Sequence, residues 1–378
     1  MRVQKFSWNA SDGWQNTARN SAGLVLYFGS REILADGARY DEIRAMFPGA
    51  HVIGCTTGGQ IQDDDVGDDQ IAAVALEFDA TRLRIASETV TELKTSRACG
   101  EAIGRQLAAD DLAGVFVLSD GLHVNGSELV AGITAFIGTQ TPLTGGLAGD
   151  GPDFVETLVG ADSAPRTRTV VGVGFYGSAV RFGHGSAGGW DVFGPRRRVT
   201  RSNGNVLYDL DGQPALELYE RYLGEEAKDL PGSALLFPLQ VSDPLRPDDE
   251  IVRTVLSIDR AAKSMTFAGD IPEGWVAQLM RGNFDRLSAG AADAAAQAQL
   301  GAAENGEGVA VLVSCIGRRL LMGQRTIEEV DAARAQLAPE MPSIGFYSYG
   351  EISPHAKSGI CNLHNQTMTV TTITEAVD

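Results

Sequence analysis

The feature that most limits the fold of this chain is a pattern that occurs three times in the sequence. Each copy has a β-branched apolar run, a helix-forming stretch, a second apolar run and two glycines spaced G-x-x-x-x-G. The copies start at Gly23, Gly114 and Gly308. A buried strand, a helix and a second strand in this order indicate a βαβ-like unit. The repeat therefore predicts an α+β or α/β fold.

The glycine pairs that close the copies are the part of the repeat most relevant to binding. They are Gly54 and Gly59, Gly146 and Gly151, and Gly345 and Gly350. Glycine lacks a Cβ and tolerates positive φ, so the backbone at such turns can approach a ligand closely. We expect the three turns to line one pocket, although ordinary turn chemistry also explains them. The predicted ligand-binding residues are these glycines with Cys55, Asp150 and Glu351.

Chain length and turn signals predict a two-lobed protein with mixed β-sheets. A chain of 378 residues exceeds what one hydrophobic core usually organises. Asn-Gly and Asp-Gly turn dipeptides come shortly before Pro214, which suits the first turn of a helix over residues 215–223. We therefore expect an N-terminal extension over residues 1–22, one domain over 23–212 and a second over 213–378.

Local sequence signals also predict where several helices begin. Asn125 with Glu128, and Thr326 with Glu329, match the capping box, in which the two side chains satisfy backbone donors of the first turn. The alanine-rich segment from about residue 275 to residue 303 is helix-prone along its whole length.

Charge and apolar patterning exclude several classes of partner. The formal net charge of −18 repels phosphate backbones and anionic lipids, so nucleic acid and membrane surfaces are not expected partners. The N-terminus has no apolar signal region, and no apolar run approaches the roughly 18 residues that span a bilayer. The four cysteines are widely separated, which argues against both a zinc site and a disulfide framework. The sequence predicts a cytoplasmic protein.

Three segments resemble known binding or catalytic motifs, but each lacks a feature that its motif requires. Residues 172–177 match G-x-G-x-x-G, but alternating residues follow where a dinucleotide site needs a helix. The acidic run that begins at Asp63 lacks the alternate spacing and closing glutamate of a calcium loop. Ser, Asp and His within residues 119–123 are too close together for a catalytic relay, whose members come from separate elements.

Cys55 is a candidate nucleophile because it lies on a turn after a strand. A cysteine nucleophile needs a nearby base, and His123 in the second copy is the natural candidate. A buried, unreactive thiol is the more ordinary explanation. A cysteine-dependent hydrolase therefore remains an alternative, while the leading expectation is a protein that is not an enzyme.

Several segments together resemble the FIST family. They are residues 345–354 (GFYSYGEISP), 363–369 (LHNQTMT), 54–59 (GCTTGG), 146–151 (GLAGDG) and 206–216 (VLYDLDGQPAL). The first two are similar to the end of the FIST C-terminal domain, the glycine turns to the N-terminal domain and the last to the junction. The resemblance implies a signal-input protein that binds a small ligand and acts on a separate transducer.

A narrower resemblance is to the haem-binding, nitric-oxide-sensing FIST proteins that regulate a partner histidine kinase. It rests on residues 183–195 (GHGSAGGWDVFGP) and 267–272 (FAGDIP). It implies non-covalent haem b, because the chain has no C-x-x-C-H motif. The expected axial ligand is His184, flanked by glycines, with His364 and His355 as alternatives. The expected pocket walls are Trp190, Tyr347 and Tyr349.

Three functions follow from these observations. The first is a haem sensor of nitric oxide that regulates a sensor histidine kinase, and a homodimer is the assembly considered for it. The second is a FIST sensor of an amino acid or another metabolite, without haem, in which Asp150 and Glu351 meet an ammonium group. The third is the hydrolase that uses Cys55.

Overall fold

A computed structural model describes residues 1–17, 21–91, 94–230, 232–303 and 307–376. The strands of this part of the chain are β1 (Arg2–Asn9), β2 (Gly13–Gln15), β3 (Leu24–Gly29), β4 (His51–Thr56), β5 (Gln60–Gln62), β6 (Asp65–Gly67), β7 (Gln70–Glu77), β8 (Arg82–Thr89), β9 (Leu112–Ser119), β10 (Leu143–Leu147), β11 (Val159–Ala161), β12 (Thr169–Tyr176), β13 (Val180–Ala187), β14 (Asp191–Asn203), β15 (Val206–Leu210), β16 (Gln213–Pro214), β17 (Leu239–Asp243), β18 (Arg246–Arg253), β19 (Val255–Asp259), β20 (Ser264–Phe267), β21 (Val276–Arg281), β22 (Glu307–Cys315), β23 (Ser343–Ser348), β24 (Gly350–Pro354), β25 (Cys361–His364) and β26 (Met368–Glu375).

The α-helices lie mainly between these strands. They are α1 (Arg31–Leu34), α2 (Ala38–Met46), α3 (Ser96–Leu107), α4 (Gly126–Ile137), α5 (Ala215–Leu223), α6 (Phe284–Leu300), α7 (Ile316–Met322) and α8 (Thr326–Arg334). Short 3-10 helices occur at Gly224–Asp229, Gly232–Leu236 and Gly323–Arg325. None of the described helices combines the length and the hydropathy needed to cross a membrane.

The three sequence copies form the predicted strand-helix-strand units. The strand pairs β3 and β4, β9 and β10, and β22 and β23 are each parallel, with helices in the connection. Every residue of β3 is buried, and most residues of β9 and β22 are buried too. Strands covered on both faces read as continuous apolar runs, which is why these elements were visible in the sequence.

Three six-stranded sheets, one around each unit, exchange strands in a cycle. The strand after the first unit, β5, pairs with β23 of the third unit. The strand after the third unit, β24, pairs with β10 of the second. The strand after the second unit, β11, pairs with β4 of the first. This cyclic exchange gives the three sheets an approximate threefold relationship.

A second exchange, along the other side of each sheet, runs in the opposite direction around the cycle. Strand β8 follows β7 but pairs with β12, and β13 follows β12 but pairs with β26. The equivalent strand for the first sheet is β1, which pairs with β7 from Arg2 to Asn9. Residues before Gly23 thus contribute a full strand to the first sheet. One apolar core draws side chains from all three sheets, and Phe28 of β3 lies 4.6 Å from Phe346 of β23 between ring centroids.

An inserted sheet forms the second lobe. Its eight strands, β14 to β21, lie in the chain between β13 and α6, and α5 packs against it. The inserted sheet has its own apolar core, which includes Leu207, Tyr219 and Phe267. The mixed α+β architecture with several mixed sheets is therefore confirmed.

One predicted helix start and one predicted cap are wrong, and one predicted cap is right. The helix predicted from residue 275 begins at Phe284, because Val276–Arg281 forms β21 between β14 and β17. Thr326 is not a cap, since its hydroxyl donates to the carbonyl of Gly323 and α8 has no side-chain cap. The cap at Asn125 is confirmed, because its side chain accepts from the backbone N–H of Glu128 at 3.1 Å.

Candidate functional site

The glycine turns of the three units meet at the carboxyl ends of the parallel strands. The N–H of Gly58 donates to the carbonyl of Tyr347 at 2.8 Å, and the N–H of Gly149 donates to the carbonyl of Thr56 at 3.0 Å. The N–H of Tyr349 donates to the carbonyl of Leu147 at 3.2 Å, which joins the third turn to the second. The turns therefore gather as expected, but they pack directly on one another.

The glycines in these turns allow close packing between strands. A Cβ at Gly54 would lie 2.4 Å from Tyr27, and a Cβ at Gly345 would lie 2.0 Å from the carbonyl oxygen of Leu312. Gly146 and Gly350 likewise face neighbouring side chains within 3 Å of an added Cβ. Their lack of a side chain is explained by protein contacts, and their binding role stays a prediction.

Two cavities flank the point where the turns meet. The first has a volume of about 350 Å³ and lies between residues 121–126, residues 315–317 and the inserted sheet. We name it the roofed cavity, because Asn205, Thr254 and Leu256 from the inserted sheet help to enclose it. The second has a volume of about 400 Å³, and we name it the charged cavity. Ile316 lines both, so only a thin wall separates them.

A buried aspartate fixes the loop that forms one side of the roofed cavity. The Asp120 carboxylate accepts from the backbone N–H groups of Leu122 at 2.7 Å and His123 at 2.9 Å, and from the hydroxyl of Thr157 at 2.8 Å. Burial alone would raise the pKa of Asp120, but backbone hydrogen bonds led by Arg168 outweigh it and lower the pKa below its usual value. Asp120 is therefore an anion that holds the loop in place.

His123 is the histidine that lines the roofed cavity in the part of the chain described. Its Nδ1 lies 3.0 Å from the Asp120 carboxylate. Because a carboxylate only accepts hydrogen bonds, Nδ1 carries the proton. In neutral His123 the Nε2 atom is therefore free to accept a hydrogen bond from a ligand.

Thr254 is a buried polar residue in the wall of the roofed cavity. Thr254 is 4% exposed, and its Oγ1 has no hydrogen-bond partner among the described residues. An unpaired buried polar group destabilises a fold by about 1–3 kcal/mol. A polar group left unpaired in a cavity wall is a position at which a ligand can supply the missing partner.

An aromatic pair forms another wall of the roofed cavity. The rings of Phe154 and Tyr349 stack with centroids 4.5 Å apart and an angle of 13° between their planes. Phe154 has a φ of 54°, a left-handed conformation that is strained for a bulky residue. The Asp150 carboxylate holds this conformation by accepting from the backbone N–H groups of Val155 and Glu156, both at 2.8 Å.

The Cys315 thiol also lines the roofed cavity, directly before α7. Burial raises the pKa of Cys315 far above its usual value, so the thiol is neutral. Cys55, the predicted nucleophile, is fully buried in the core shared by the three sheets, and burial raises its pKa as well. Cys55 lines neither of the two cavities, so His123 shares the roofed cavity with Cys315 instead.

The charged cavity holds a network of ion pairs. Arg31 donates to the fully buried Asp150 carboxylate at 3.0 Å, and Arg319 pairs with Asp68 at 2.6 Å. Of the predicted ligand-binding residues, Gly59, Asp150 and Gly151 line this cavity. The carboxylate of Asp150 is already occupied by Arg31, Tyr349 and two backbone N–H groups.

Glu351, the other predicted partner for an ammonium group, lies inside the protein. Its carboxyl group accepts from Ser348 at 2.6 Å and from the Thr367 hydroxyl at 2.9 Å. Burial raises the pKa of Glu351 to about 8. Glu351 lines neither cavity, so the structure does not bring it together with Asp150.

The residues predicted to hold haem are spread over separate parts of the structure. His184 lies in β13 opposite Thr371 of β26 and lines neither cavity. An added Cβ at Gly183 or Gly185 would meet a backbone carbonyl of α6 within 2.0 Å, so α6 occupies the space beside both glycines. One feature does suit a metal ligand: the His184 Nδ1 is buried without a partner in the described structure, and burial lowers the pKa.

The other residues named for haem make protein contacts. Trp190 donates to the carbonyl of Gln366 at 2.6 Å, and Tyr347 donates to Glu329 at 3.0 Å. His364 is buried against the carbonyl of Ser353 at 3.0 Å, and its pKa falls to about 4 by burial. His355 lies 3.4 Å from Asp249. Only Tyr349 of the predicted set lines the roofed cavity, so these residues do not fit around one haem.

Comparison with known protein families identifies the chain. Residues 23–213 match the FIST N domain, and residues 215–354 match the FIST C domain. The chain belongs to the FIST family. No curated protein matches the chain. FIST domains are sensory domains associated with signal transduction and the binding of small ligands, which confirms the broader part of the sequence-based expectation.

In this FIST protein the two matched regions share their sheets. Strand β24 of the FIST C match pairs with β10 of the FIST N match, and β5 pairs with β23 in the reverse direction. The roofed cavity also draws on both matches, with His123 from the first and Thr254 from the second.

Sequence reasoning missed several residues of the roofed cavity. Thr254, Asn205 and Cys315 carry no local signal, because their importance depends on which distant residues surround them. The segment 267–272, which carries part of the narrower family resemblance, did point to this region, because its first three residues line the roofed cavity.

Proposed function

We propose that this FIST protein is a signal-input module that binds a small molecule in the roofed cavity. The observation that carries the proposal is a cavity of about 350 Å³ between two lobes, lined by Thr254, whose hydroxyl has no hydrogen-bond partner among the described residues. Small-molecule sites are typically cavities of about 300–1,000 Å³ at such junctions, mostly apolar with a few polar groups. His123, Asn125 and Asn205 supply further polar groups, and a larger set of apolar side chains surrounds them.

The position of the roofed cavity explains how binding is reported. Its walls come from the loops of the second and third units and from the inserted sheet, so a ligand contacts both lobes. A ligand that touches both lobes stabilises the arrangement in which they are closed over it. The transducer would read this arrangement at the surface, and a sensor histidine kinase is the candidate that the resemblance suggests.

The placement of the predicted residues favours a metabolite over haem. An axial ligand must lie beside a cleft large enough for the macrocycle. α6 occupies the space beside the two glycines that flank His184 in its strand, and His184 does not line the roofed cavity. The prediction of haem and nitric oxide therefore receives less support than a metabolite in the roofed cavity.

Thr254→Val tests the proposal because valine keeps the shape and removes the hydroxyl. We expect the unliganded variant to be at least as stable as the parent, since the hydroxyl is unpaired. We expect a metabolite that raises the melting temperature of the parent to bind the variant about 5- to 150-fold more weakly, which corresponds to about 1–3 kcal/mol. Thermal-shift screening followed by calorimetry measures both effects.

Thr144→Val is the matched control. Thr144 is also fully buried with an unpaired Oγ1 in the described structure, but it lies in β10 and does not line the roofed cavity. Its variant should keep full ligand affinity. Equal affinity in both variants would refute the site. A Soret band in protein expressed with a haem precursor, lost in His184→Ala, would instead support the haem prediction.

A further inference from the structure

The roofed cavity has a chemical character that narrows its ligand, and this inference rests on the proposed function. None of its described lining residues is Lys, Arg, Asp or Glu. Its ionisable side chains are His123, Cys315 and Tyr349. Burial raises the pKa of both Cys315 and Tyr349, so these two are neutral at physiological pH.

The charged cavity next to it shows the opposite character. Arg31, Arg319, Asp68 and Asp150 all line it, within a short distance of Ile316, which the two cavities share. The described lining residues of the charged cavity thus include four charged side chains, and those of the roofed cavity include no Lys, Arg, Asp or Glu. Moving an ionised group from water into a site without a counter-ion is strongly unfavourable. A carboxylate or ammonium ligand would therefore be excluded from the roofed cavity.

The aromatic wall favours a flat ligand. Phe154 is 44% exposed although it stacks closely on Tyr349, so ring surface remains open beyond the stacked pair. The strained φ of Phe154 is held by hydrogen bonds to Asp150. Strained residues that the surrounding structure holds in place occur preferentially at functional sites. An open aromatic face interacts best with another planar ring in offset or edge-on contact.

The polar groups of the cavity require a ligand that both donates and accepts hydrogen bonds. The Nδ1 of His123 is engaged with Asp120, which leaves Nε2 as the ring nitrogen available to a ligand. The Thr254 hydroxyl can donate as well as accept, and it has no partner in the described structure. These two groups lie on opposite lobes, one in the loop before α4 and one in the inserted sheet.

We propose that the ligand of the roofed cavity is a flat, uncharged ring bearing both a hydrogen-bond donor and an acceptor, such as an aromatic carboxamide or a lactam-containing heterocycle. The ring lies against Phe154, and its polar group bridges His123 and Thr254. This class differs from a zwitterionic amino acid, whose two charges would find no counter-ions in this cavity.

Matched probe pairs test the proposal by calorimetry on the full protein. Each aromatic carboxamide or lactam in the panel is paired with its carboxylate and with its saturated-ring analogue, for example benzamide with benzoate and with cyclohexanecarboxamide. We expect the carboxylates to bind at least about tenfold more weakly, because their charge is unpaired in the cavity. The saturated analogues should bind about two- to tenfold more weakly, which is the range for a lost aromatic contact.

Phe154→Leu isolates the aromatic wall, because leucine stays apolar without being flat. We expect this variant to bind the aromatic carboxamides about two- to tenfold more weakly than the parent does. It should then bind aromatic and saturated amides with equal affinity. Phe136→Leu is the control, since Phe136 is similarly exposed at 40% but lies on α4 and does not line the roofed cavity.

The outcomes distinguish this inference from the proposed function. If charged or saturated compounds bind as well as or better than the flat amides, and Thr254→Val still weakens them, the ligand class is wrong and the site stands. If no compound of the panel binds while a metabolite found by thermal shift still depends on Thr254, the ligand class alone is wrong. If Thr254→Val and Thr144→Val bind that metabolite equally well, the proposed function fails and the ligand class with it.

Discussion

The buried ion pair between Arg318 and Glu329 should be the most sensitive electrostatic interaction of the fold. Both side chains are fully buried, and Nη2 of Arg318 lies 2.7 Å from Oε2 of Glu329. Arg318 also donates to the carbonyls of Leu287 at 2.8 Å and of Gly188. The pair therefore joins α7 and α8 to α6 and to the segment that leads into the inserted sheet.

Removal of either partner leaves an unpaired buried charge. Breaking a buried ion pair in this way typically destabilises a protein by about 3–5 kcal/mol. We expect Arg318→Met and Glu329→Met each to reduce the free energy of unfolding by about 3–5 kcal/mol. The double variant should lose less than the sum of the two, by at least about 1 kcal/mol, because neither charge is then left without its partner.

Urea titration followed by tryptophan fluorescence measures these free energies of unfolding. Trp190 is a suitable reporter because it donates to the carbonyl of Gln366, which Arg318 also contacts. Arg325→Met is the control, since its pair with Glu328 is exposed and should have no measurable effect. Losses below about 1 kcal/mol in both single variants, or strictly additive losses in the double variant, would refute the reasoning.

Further predictions concern pH and packing. Burial raises the pKa of Glu351 from 4.5 to about 8, so its stabilising protonated form is lost as the pH rises from about 4.5 through 8. Glu351→Gln should flatten that decline in melting temperature, and parallel curves would contradict it. Burial alone would raise the pKa of Glu375, but hydrogen bonds from the β7–β8 turn outweigh it and lower the pKa to about 2. Its contribution is present above about pH 4.5 and lost toward pH 2, so Glu375→Gln should reduce stability at pH 7 and weaken the acid transition in a pH series of thermal melts. Gly185→Ala should destabilise by about 1–3 kcal/mol or more in thermal melts, because the new Cβ meets a backbone carbonyl of α6, whereas Gly49→Ala meets nothing within 4 Å and should be neutral.

Part of the fold could be predicted because its signals are local. Strands β3, β9 and β22 are buried on both faces, so each can be recognised in the sequence as a run of consecutive apolar residues. The Asn125 cap needs only residues three positions apart. The start of α6 could not be predicted, because Val276–Arg281 takes its strand conformation from pairing with β14 and β17.

The candidate site was only partly visible for the same reason. The sequence singled out His123 as a histidine at the end of a strand, but Cys315, the thiol that lines the same cavity, lies far away in sequence. Glu329 has the spacing of a capping residue, but its carboxylate instead accepts a hydrogen bond from the buried Arg318 in the interior. Nothing in the sequence shows that the Thr254 hydroxyl is unpaired, since that depends on every neighbour of the atom.

The sequence by itself determined the repeated strand-helix-strand units and the family, because both are written in residues that are close together along the chain. Only the tertiary structure decided that the units exchange strands in a cycle, that the glycine turns pack on one another, and that a cavity with no Lys, Arg, Asp or Glu among its described lining residues lies beside a charged one. The physical reason is that strand pairing, burial and hydrogen-bond satisfaction depend on contacts between distant segments, which local periodicity does not encode.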